Sequence, residues 1–421
     1  MKTDIVYSAP AMLRLNRAKY MTNYPDDWRK VTNAISDVVG KIRSSIVEAH
    51  GDRIDMSILY NAYTETDFPR HIRAANLVGM SALYADSGGL QVITRGHQLT
   101  ANVKQAVYEN QSNADYAFCF DEIPVKNHNQ GSRSDTSSKE FISDRIDECA
   151  IATAKNINNQ IKKLNEIGSN TKVYYIVQGN DIDTMVRWVE VGWPYIEDHS
   201  RICGFAMADT CIGNSMLESV DMLIAYAKID KMTGNQYNRV HFLGVGSLSR
   251  IAPIVQFSRI GLIRDEVVVS FDSSTTSLCW VYGKILAPTG DIVDFSTRAE
   301  VEKYVLPVFD KWFNTINKHI GADYNTTKEL LIDKFKSIAA LTNIESRNAE
   351  NIFMRVFVPV LCFDQANVFA ELLHAPAPPK IAAFAECASI DDTIRVRNAI
   401  KSSLPSKRIR RDFVSVDGFF S

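Results

Sequence analysis

Eight short apolar, β-branched runs alternate with amphipathic stretches along the first part of this 421-residue chain, and that alternation constrains the fold more than any other feature. The runs are Ile5–Ser8, Ile54–Tyr60, Ala82–Ala85, Tyr116–Phe120, Val173–Val177, Ile202–Ala206, Val240–Leu243 and Val267–Phe271. A strand covered by helices on both sides loses the in–out alternation of an exposed sheet, so such runs read as strands of a buried parallel sheet. Between them, Trp28–Ala49, Phe141–Ile167, Asp181–Val191, Ser215–Ala227 and Leu248–Ile260 repeat apolar residues at helical spacings, with Asn180 and Ser247 where N-caps belong. Eight βα units in about 250 to 300 residues is what a (β/α)8 barrel requires, whereas a six-stranded doubly wound sheet leaves two units over.

The expected architecture is therefore α/β, a (β/α)8 TIM barrel running from about Asp4 to Lys284 within a first domain, 1–290. A C-terminal helical region, 291–421, follows. Its pattern is helical alone, in Val301–Ile320, Lys328–Leu341, Ala349–Cys362 and Asp364–Leu373, before a stiff Ala375–Pro379 linker.

Lys plus Arg (47) nearly balances Asp plus Glu (49), so no global charge marks a polyanion binder and any basic surface must be local. Two places qualify. The tail from Lys401 holds Lys407, Arg408, Arg410 and Arg411, and the polar loop Ile123–Lys139 holds Arg133. A solvated tail and an irregular connection are the structural readings of these segments; phosphate contacts are the functional one. The seven cysteines are scattered without a C-x-x-C pair, which fits reduced, buried thiols. No stretch approaches the roughly 18 apolar residues of a membrane helix, and the N-terminus lacks a signal-like apolar segment, so a cytoplasmic chain with no membrane partner is expected.

In TIM barrels the working residues stand at the C-terminal ends of the strands. Here those ends are polar: Asp86-Ser87-Gly88-Gly89-Leu90-Gln91 after strand three, Asp121-Glu122 after strand four, Gln178-Gly179 after strand five, Gly204-Phe205-Ala206 on strand six, Gly244-Val245-Gly246 after strand seven and Asp272-Ser273-Ser274 after strand eight. Each alone is more often an N-cap or a turn. Together they bring three carboxylates, an amide and several glycines to one mouth. Two separated carboxylates suit cleavage of a glycosidic bond, one as nucleophile and one as acid and base. A further carboxylate and an amide suit the hydrogen-bonding edge of a purine.

At these residues the chain resembles the tRNA-guanine transglycosylase superfamily. Asp86-Ser87-Gly88-Gly89-Leu90-Gln91 is similar to the family's Asp-Ser-Gly-Gly-aromatic-Gln, Phe120-Asp121-Glu122 to its Phe-Asp-Glu and Ile176-Val177-Gln178-Gly179 to its Ile-Val-Gln-Gly. His241-Phe242-Leu243-Gly244-Val245-Gly246 resembles its seventh-strand Gly-Val-Gly segment, and Ser270-Phe271-Asp272 the strand carrying its nucleophile. The resemblance implies Asp272 as nucleophile and Asp86 as general acid/base. Asp121, Gln178 and the backbone at Gly204 would read the guanine edge, Leu243 would cover one face of the base, and Ser87, Gly88, Gly89, Gln91, Gly179 and Gly244 would complete the pocket.

The departures are informative as well. Leu90 replaces the aromatic ring, Phe205 replaces a glycine of the family's Gly-Gly, and Ser273–Ser277 replaces its Leu-Pro-Thr-Arg, which helps hold the anticodon loop. The family's zinc set, Cys-x-Cys-x-x-Cys with a later His, has no counterpart in Cys362, His374, Cys387 and His319, so no zinc and no other cofactor is expected. Loss of tRNA-reading elements with retention of the base-exchange set resembles the 7-deazapurine DNA transglycosylases of bacteriophages and bacterial modification systems.

The resulting expectation is replacement of guanine in DNA by a 7-deazaguanine base, for example 7-cyano-7-deazaguanine, with a homodimer or a helper protein as a possible further partner. The tRNA enzyme is the alternative, and a non-catalytic nucleic-acid-binding subunit of the same family is the second. An unrelated lyase barrel is disfavoured because no lysine ends a strand as a Schiff-base candidate. His71, His97, His128 and His241 read as core or surface residues rather than ligands.

Overall fold

The computed structural model describes residues 2–8, 23–51, 54–64, 81–88, 100–124, 143–209, 216–245, 254, 263–273, 284–287, 292–334, 346–374, 387 and 389–403. Eight parallel strands close into a barrel in chain order: β1 (Lys2–Ser8), β2 (Ile54–Asn61), β3 (Leu83–Asp86), β4 (Tyr116–Phe118), β5 (Lys172–Gly179), β6 (Ile202–Asp209), β7 (Arg239–Phe242) and β8 (Val268–Ser273). Closure comes from β1 pairing with both β2 and β8. All eight strands expected from the apolar runs are present, in the expected order. Each of the eight residues of β2 is buried, as a strand sandwiched between barrel interior and helical layer must be.

Around the barrel lie α1 (Pro25–His50), α2 (Ala101–Gln111), α3 (Ile146–Ile167), α4 (Ile182–Gly192) and α5 (Met216–Met232). In α1, Pro25 opens the first turn beside Asp26 and Asp27, and Val31, Ala34, Ile35, Val38, Val39, Ile42 and Ile46 form the buried stripe. Helix α4 is capped by Asp181 rather than by the expected Asn180: the Asp181 carboxylate accepts from the Thr184 N–H at 2.8 Å, and the Thr184 hydroxyl accepts from the Asp181 N–H at 3.1 Å. Helix α2 was not foreseen, and its Thr100 cap is the clearest local signal for it. The expected Leu248–Ile260 helix and its Ser247 cap lie, apart from Ile254, outside the described residues.

Past the barrel the chain is not helical alone. A short antiparallel hairpin, β9 (Lys284–Leu286) and β10 (Ile292–Asp294), comes first. One π-helical turn, Val301–Val305, then leads into α6 (Leu306–Ile320), followed by α7 (Tyr324–Lys334), α8 (Ala349–His374) and α9 (Ile390–Ser403). Helix α7 starts earlier than Lys328 because Asp323 caps it, accepting from the Thr326 N–H at 2.9 Å. The two helices expected over 349–373 are one, running through Pro359. Asp364, the first residue of the second expected helix, turns sideways to accept from Trp312 Nε1 at 2.7 Å and Lys311 Nζ at 2.8 Å. Lys401 lies in the last turn of α9, not in an irregular tail.

Helices α6 and α8 pack on α1, and α9 packs on α5. Phe309, Phe313, Phe353 and Phe357 interlock between α6 and α8. Arg347 pairs with Asp27 at 2.9 Å, His319 with Asp37 at 3.2 Å and Arg397 with Asp221 at 2.6 Å, each tying the C-terminal region to a barrel helix. No helix among the described residues is long and apolar enough to cross a membrane.

Candidate active site at the barrel mouth

Strand side chains alternate between two faces, so the polar residues at positions i and i+2 share the barrel interior. Tyr84 and Asp86 on β3, Tyr174, Ile176 and Gln178 on β5, Arg239 and His241 on β7, and Ser270 and Asp272 on β8 follow this rule. The interior is thereby layered, with one polar layer at the floor and another at the mouth.

At the floor, the buried Asp4 carboxylate accepts from the Tyr84 hydroxyl at 2.8 Å and from Ser57 Oγ at 2.9 Å. Arg239 lies 3.9 Å from the same oxygen, donates to Tyr174 and Tyr84 hydroxyls at 2.9 and 3.0 Å, and stacks 4.0 Å from the Tyr116 ring. Burial pushes the Asp4 carboxyl up, opposed by the Tyr84 and Ser57 hydrogen bonds and the Arg239 charge.

At the mouth stand Asp86, Asp121, Gln178 and Asp272. Asp86 ends β3 in register with Asn61, whose Nδ2 lies 3.4 Å from its carboxylate. Burial pushes the Asp86 carboxyl up to about 7; the Gly88 and Ser87 N–H groups pull it down, while the charges of Asp121 and Asp272 push it further up. Asp121 follows β4 and accepts from Gln178 Nε2 at 2.5 Å. Burial raises it to about 6, opposed by the Gln178 hydrogen bond. Glu122 turns away to the helical layer, where Lys104 Nζ reaches it at 3.3 Å.

Asp272 on β8 is gripped on one oxygen. Its Oδ1 accepts from the Gly244 N–H at 2.5 Å and lies 3.3 Å from His241 Nε2. Gly244 adopts a φ of 65°, in the left-handed region that favours glycine, and this turn aims its N–H across the barrel edge at Asp272. Leu243, half-buried beside it, is held by its N–H on the Met207 carbonyl at 3.0 Å.

Two glycines behave differently from the sequence expectation. Gly204 is the third residue of β6, level with Tyr174 and Arg239 near the floor, because the strand runs on to Asp209 instead of stopping at Ala206. A Cβ at Gly204 would stand 1.8 Å from the Arg239 carbonyl oxygen, so the residue serves the close approach of β6 to β7 and does not read a base at the mouth. Phe205 likewise points into the outer core against Trp193 and Tyr237 and leaves the mouth untouched. Gly179 ends β5 with the first turn of α4 packed against it. Ser87 and Gly88 are buried beside Asp86.

The expected roles of Gly89, Gln91, Arg133, Lys407, Arg408, Arg410 and Arg411 fall on residues outside those described, as do Leu90 and the 274–277 segment. Among the described residues, no three His, Cys, Asp or Glu side chains gather as a metal site. His319 lies 3.2 Å from Asp37, and Cys362 is buried within α8.

Comparison of the chain with protein-family models and with curated proteins finds no match. The site has to be read from its own chemistry.

Two residues at the mouth escaped the sequence reading. Asn61 lies one residue beyond the expected end of strand two, and a polar residue at a strand's C-terminal end was the signal that could have found it. His241 is buried, as a core histidine should be, yet its Nε2 faces the Asp272 carboxylate.

Proposed function

We propose that the protein is a base-exchanging transglycosylase, a pentosyltransferase that replaces guanine in DNA with a 7-deazaguanine through a glycosyl ester on Asp272. The observation that carries this reading is the contrast between the two carboxylates in one mouth. Asp86 is desolvated and keeps its proton to about pH 7, which suits a group that must give and take a proton near neutrality. Among the described residues Asp272 is held by Gly244 and His241 through Oδ1, which leaves its other oxygen for attack on a sugar carbon. Asp121, fixed by Gln178, supplies a carboxylate and an amide for the purine edge.

In the first displacement Asp272 bonds to C1′ as the C1′–N9 bond breaks, its electron pair leaving with guanine, which takes a proton from Asp86. In the second, the N9 of the incoming base bonds to C1′, the ester opens and Asp86 accepts the N9 proton. A base stacked in a duplex cannot enter this mouth, so the target nucleotide is flipped or single-stranded.

The test is incubation of the protein with labelled guanine and matched DNA and tRNA substrates. Label entering DNA is the expected result. Label entering tRNA with none in DNA replaces the polymer and keeps the chemistry, and label in neither refutes the transglycosylase reading.

A further inference from the structure

His241 has no place in the two-carboxylate scheme, yet it is fully buried and contacted at both ring nitrogens beside Asp272. Its ring is fully buried among Phe118, Tyr84 and Tyr174, with centroids 4.7, 5.9 and 6.1 Å away. Nδ1 lies 2.9 Å from Ser270 Oγ, and Nε2 lies 3.3 Å from Asp272 Oδ1. Ser270 is itself fully buried and lies within hydrogen-bond reach of the Val240 carbonyl at 3.2 Å. The ring is clamped at both nitrogens.

The proton on Nε2 follows from its partners. Facing an ionised carboxylate, a bare Nε2 would set lone pair against lone pair, so this nitrogen carries the hydrogen. Ser270 accommodates either form of the ring: its hydroxyl donates to a bare Nδ1, or accepts from a protonated one while donating to Val240. Asp272 Oδ1 therefore receives two hydrogen bonds, from His241 Nε2 and the Gly244 N–H, in both cases.

These two donors act unequally on the two displacements. While Asp272 is esterified through Oδ2, Oδ1 is a carbonyl oxygen and a weak acceptor. When the ester opens, the electron pair of the C1′–Oδ2 bond returns to the carboxylate and half of the charge appears on Oδ1, where charge-assisted hydrogen bonds are about twice as strong as neutral ones. Donors placed where charge develops lower that barrier. The same donors lower the basicity of Asp272 in the first displacement, where their benefit is orientation only.

We infer that His241, braced by Ser270, is a positioning residue that makes Asp272 a good leaving group in the second displacement and fixes Oδ2 as the attacking oxygen. The inference rests on the transglycosylase reading. It predicts a kinetic signature that a packing role does not produce: loss of the donor traps the covalent intermediate instead of preventing it.

The experiment compares wild type with His241→Phe, which keeps a buried ring but no donor, and His241→Gln, whose side-chain amide can reach the Nε2 position. Single-turnover reactions with a guanine-containing single-stranded DNA follow two steps: formation of the denaturation-resistant protein–DNA adduct, and its breakdown on adding excess guanine. His241→Phe is expected to slow breakdown by about 10- to 100-fold and formation by less, so that more adduct stands at steady state, with His241→Gln restoring most of the breakdown rate. Ser270→Ala should shift the balance in the same direction more weakly, and it carries the test if the Phe variant does not fold. Equal slowing of both steps, or an unchanged ratio, overturns the role of His241 while wild-type adduct formation upholds the transglycosylase reading. Failure of wild type to form adduct with either DNA or tRNA overturns both.

Discussion

The floor and the mouth of the barrel both hold carboxylates that burial pushes up, and they differ in the groups set beside them. At the floor Asp4 shares its charge with the Arg239 guanidinium, two hydroxyls and, through Arg239, the Tyr116 ring. At the mouth, among the described residues, no lysine or arginine pairs with Asp86, Asp121 or Asp272; their partners are Asn61, Gln178, a backbone N–H and His241. A buried charge without its partner is destabilising, so the paired layer belongs to folding. Carboxylates left without a cation, two of them, Asp86 and Asp121, raised by burial, belong where chemistry or binding will use them.

The largest effect should come from the mouth. Asp272→Asn is expected to lower exchange by roughly four orders of magnitude or more and to abolish the covalent adduct, with unfolding little changed. Near-normal turnover in that variant would remove Asp272 from the chemistry and erase the distinction between the two ends.

The converse experiment is at the floor. Arg239→Met leaves Asp4 buried without its cation and should reduce stability by about 3–5 kcal/mol in urea unfolding, because a lone buried charge is what the pair prevents. A change below about 1 kcal/mol, or a loss of exchange in protein that remains fully folded, would break the comparison from the other side.

A third expectation concerns pH. Burial raises Asp86 to about 7 and Asp121 to about 6, from ordinary values near 3.8. Between about pH 4 and 7 the folded chain therefore binds more protons at these groups than the unfolded chain does. Their contribution to stability is complete at low pH and is lost as pH rises through 6 and 7. Asp86→Asn should flatten the upper part of that decline, so that the variant melts above wild type at pH 8 and close to it at pH 5. Parallel melting curves for the two proteins across this range would show that Asp86 ionises without penalty.

The smallest effect is expected from a chelator. With no Cys-x-Cys-x-x-Cys in the sequence and no cluster of metal ligands among the described residues, EDTA should leave the melting temperature unchanged. A clear fall, with one zinc per chain by elemental analysis, would show a metal ligand set that the sequence pattern does not reveal.

How much of this was legible beforehand varies by residue. A strand such as β5 could be read because both of its faces are buried, so that Val173–Val177 is an uninterrupted apolar run. Asp86, Asp121, Gln178 and Asp272 could be read because the barrel topology assigns function to strand ends. Gly204 was misplaced because its role was taken from the resemblance, whereas here it sits level with Tyr174 and Arg239 and permits the approach of a neighbouring strand's carbonyl. The single helix over Ala349–His374 looked like two, divided before Asp364, whose carboxylate in the structure is turned to Trp312 and Lys311 while the helix runs on.

What the sequence determined alone is periodic and local: barrel strands, an amphipathic stripe such as that of α1, and polar residues at strand ends. These follow from spacings of two, three or four residues in the order of the chain, which strand and helix geometry turn into faces. What only the tertiary structure decided is pairwise and distant. His241 meets Asp272 across 31 positions, and Asp4 meets Tyr84 across 80, because strand register and barrel closure set which side chains share a layer. No one-dimensional pattern encodes that choice.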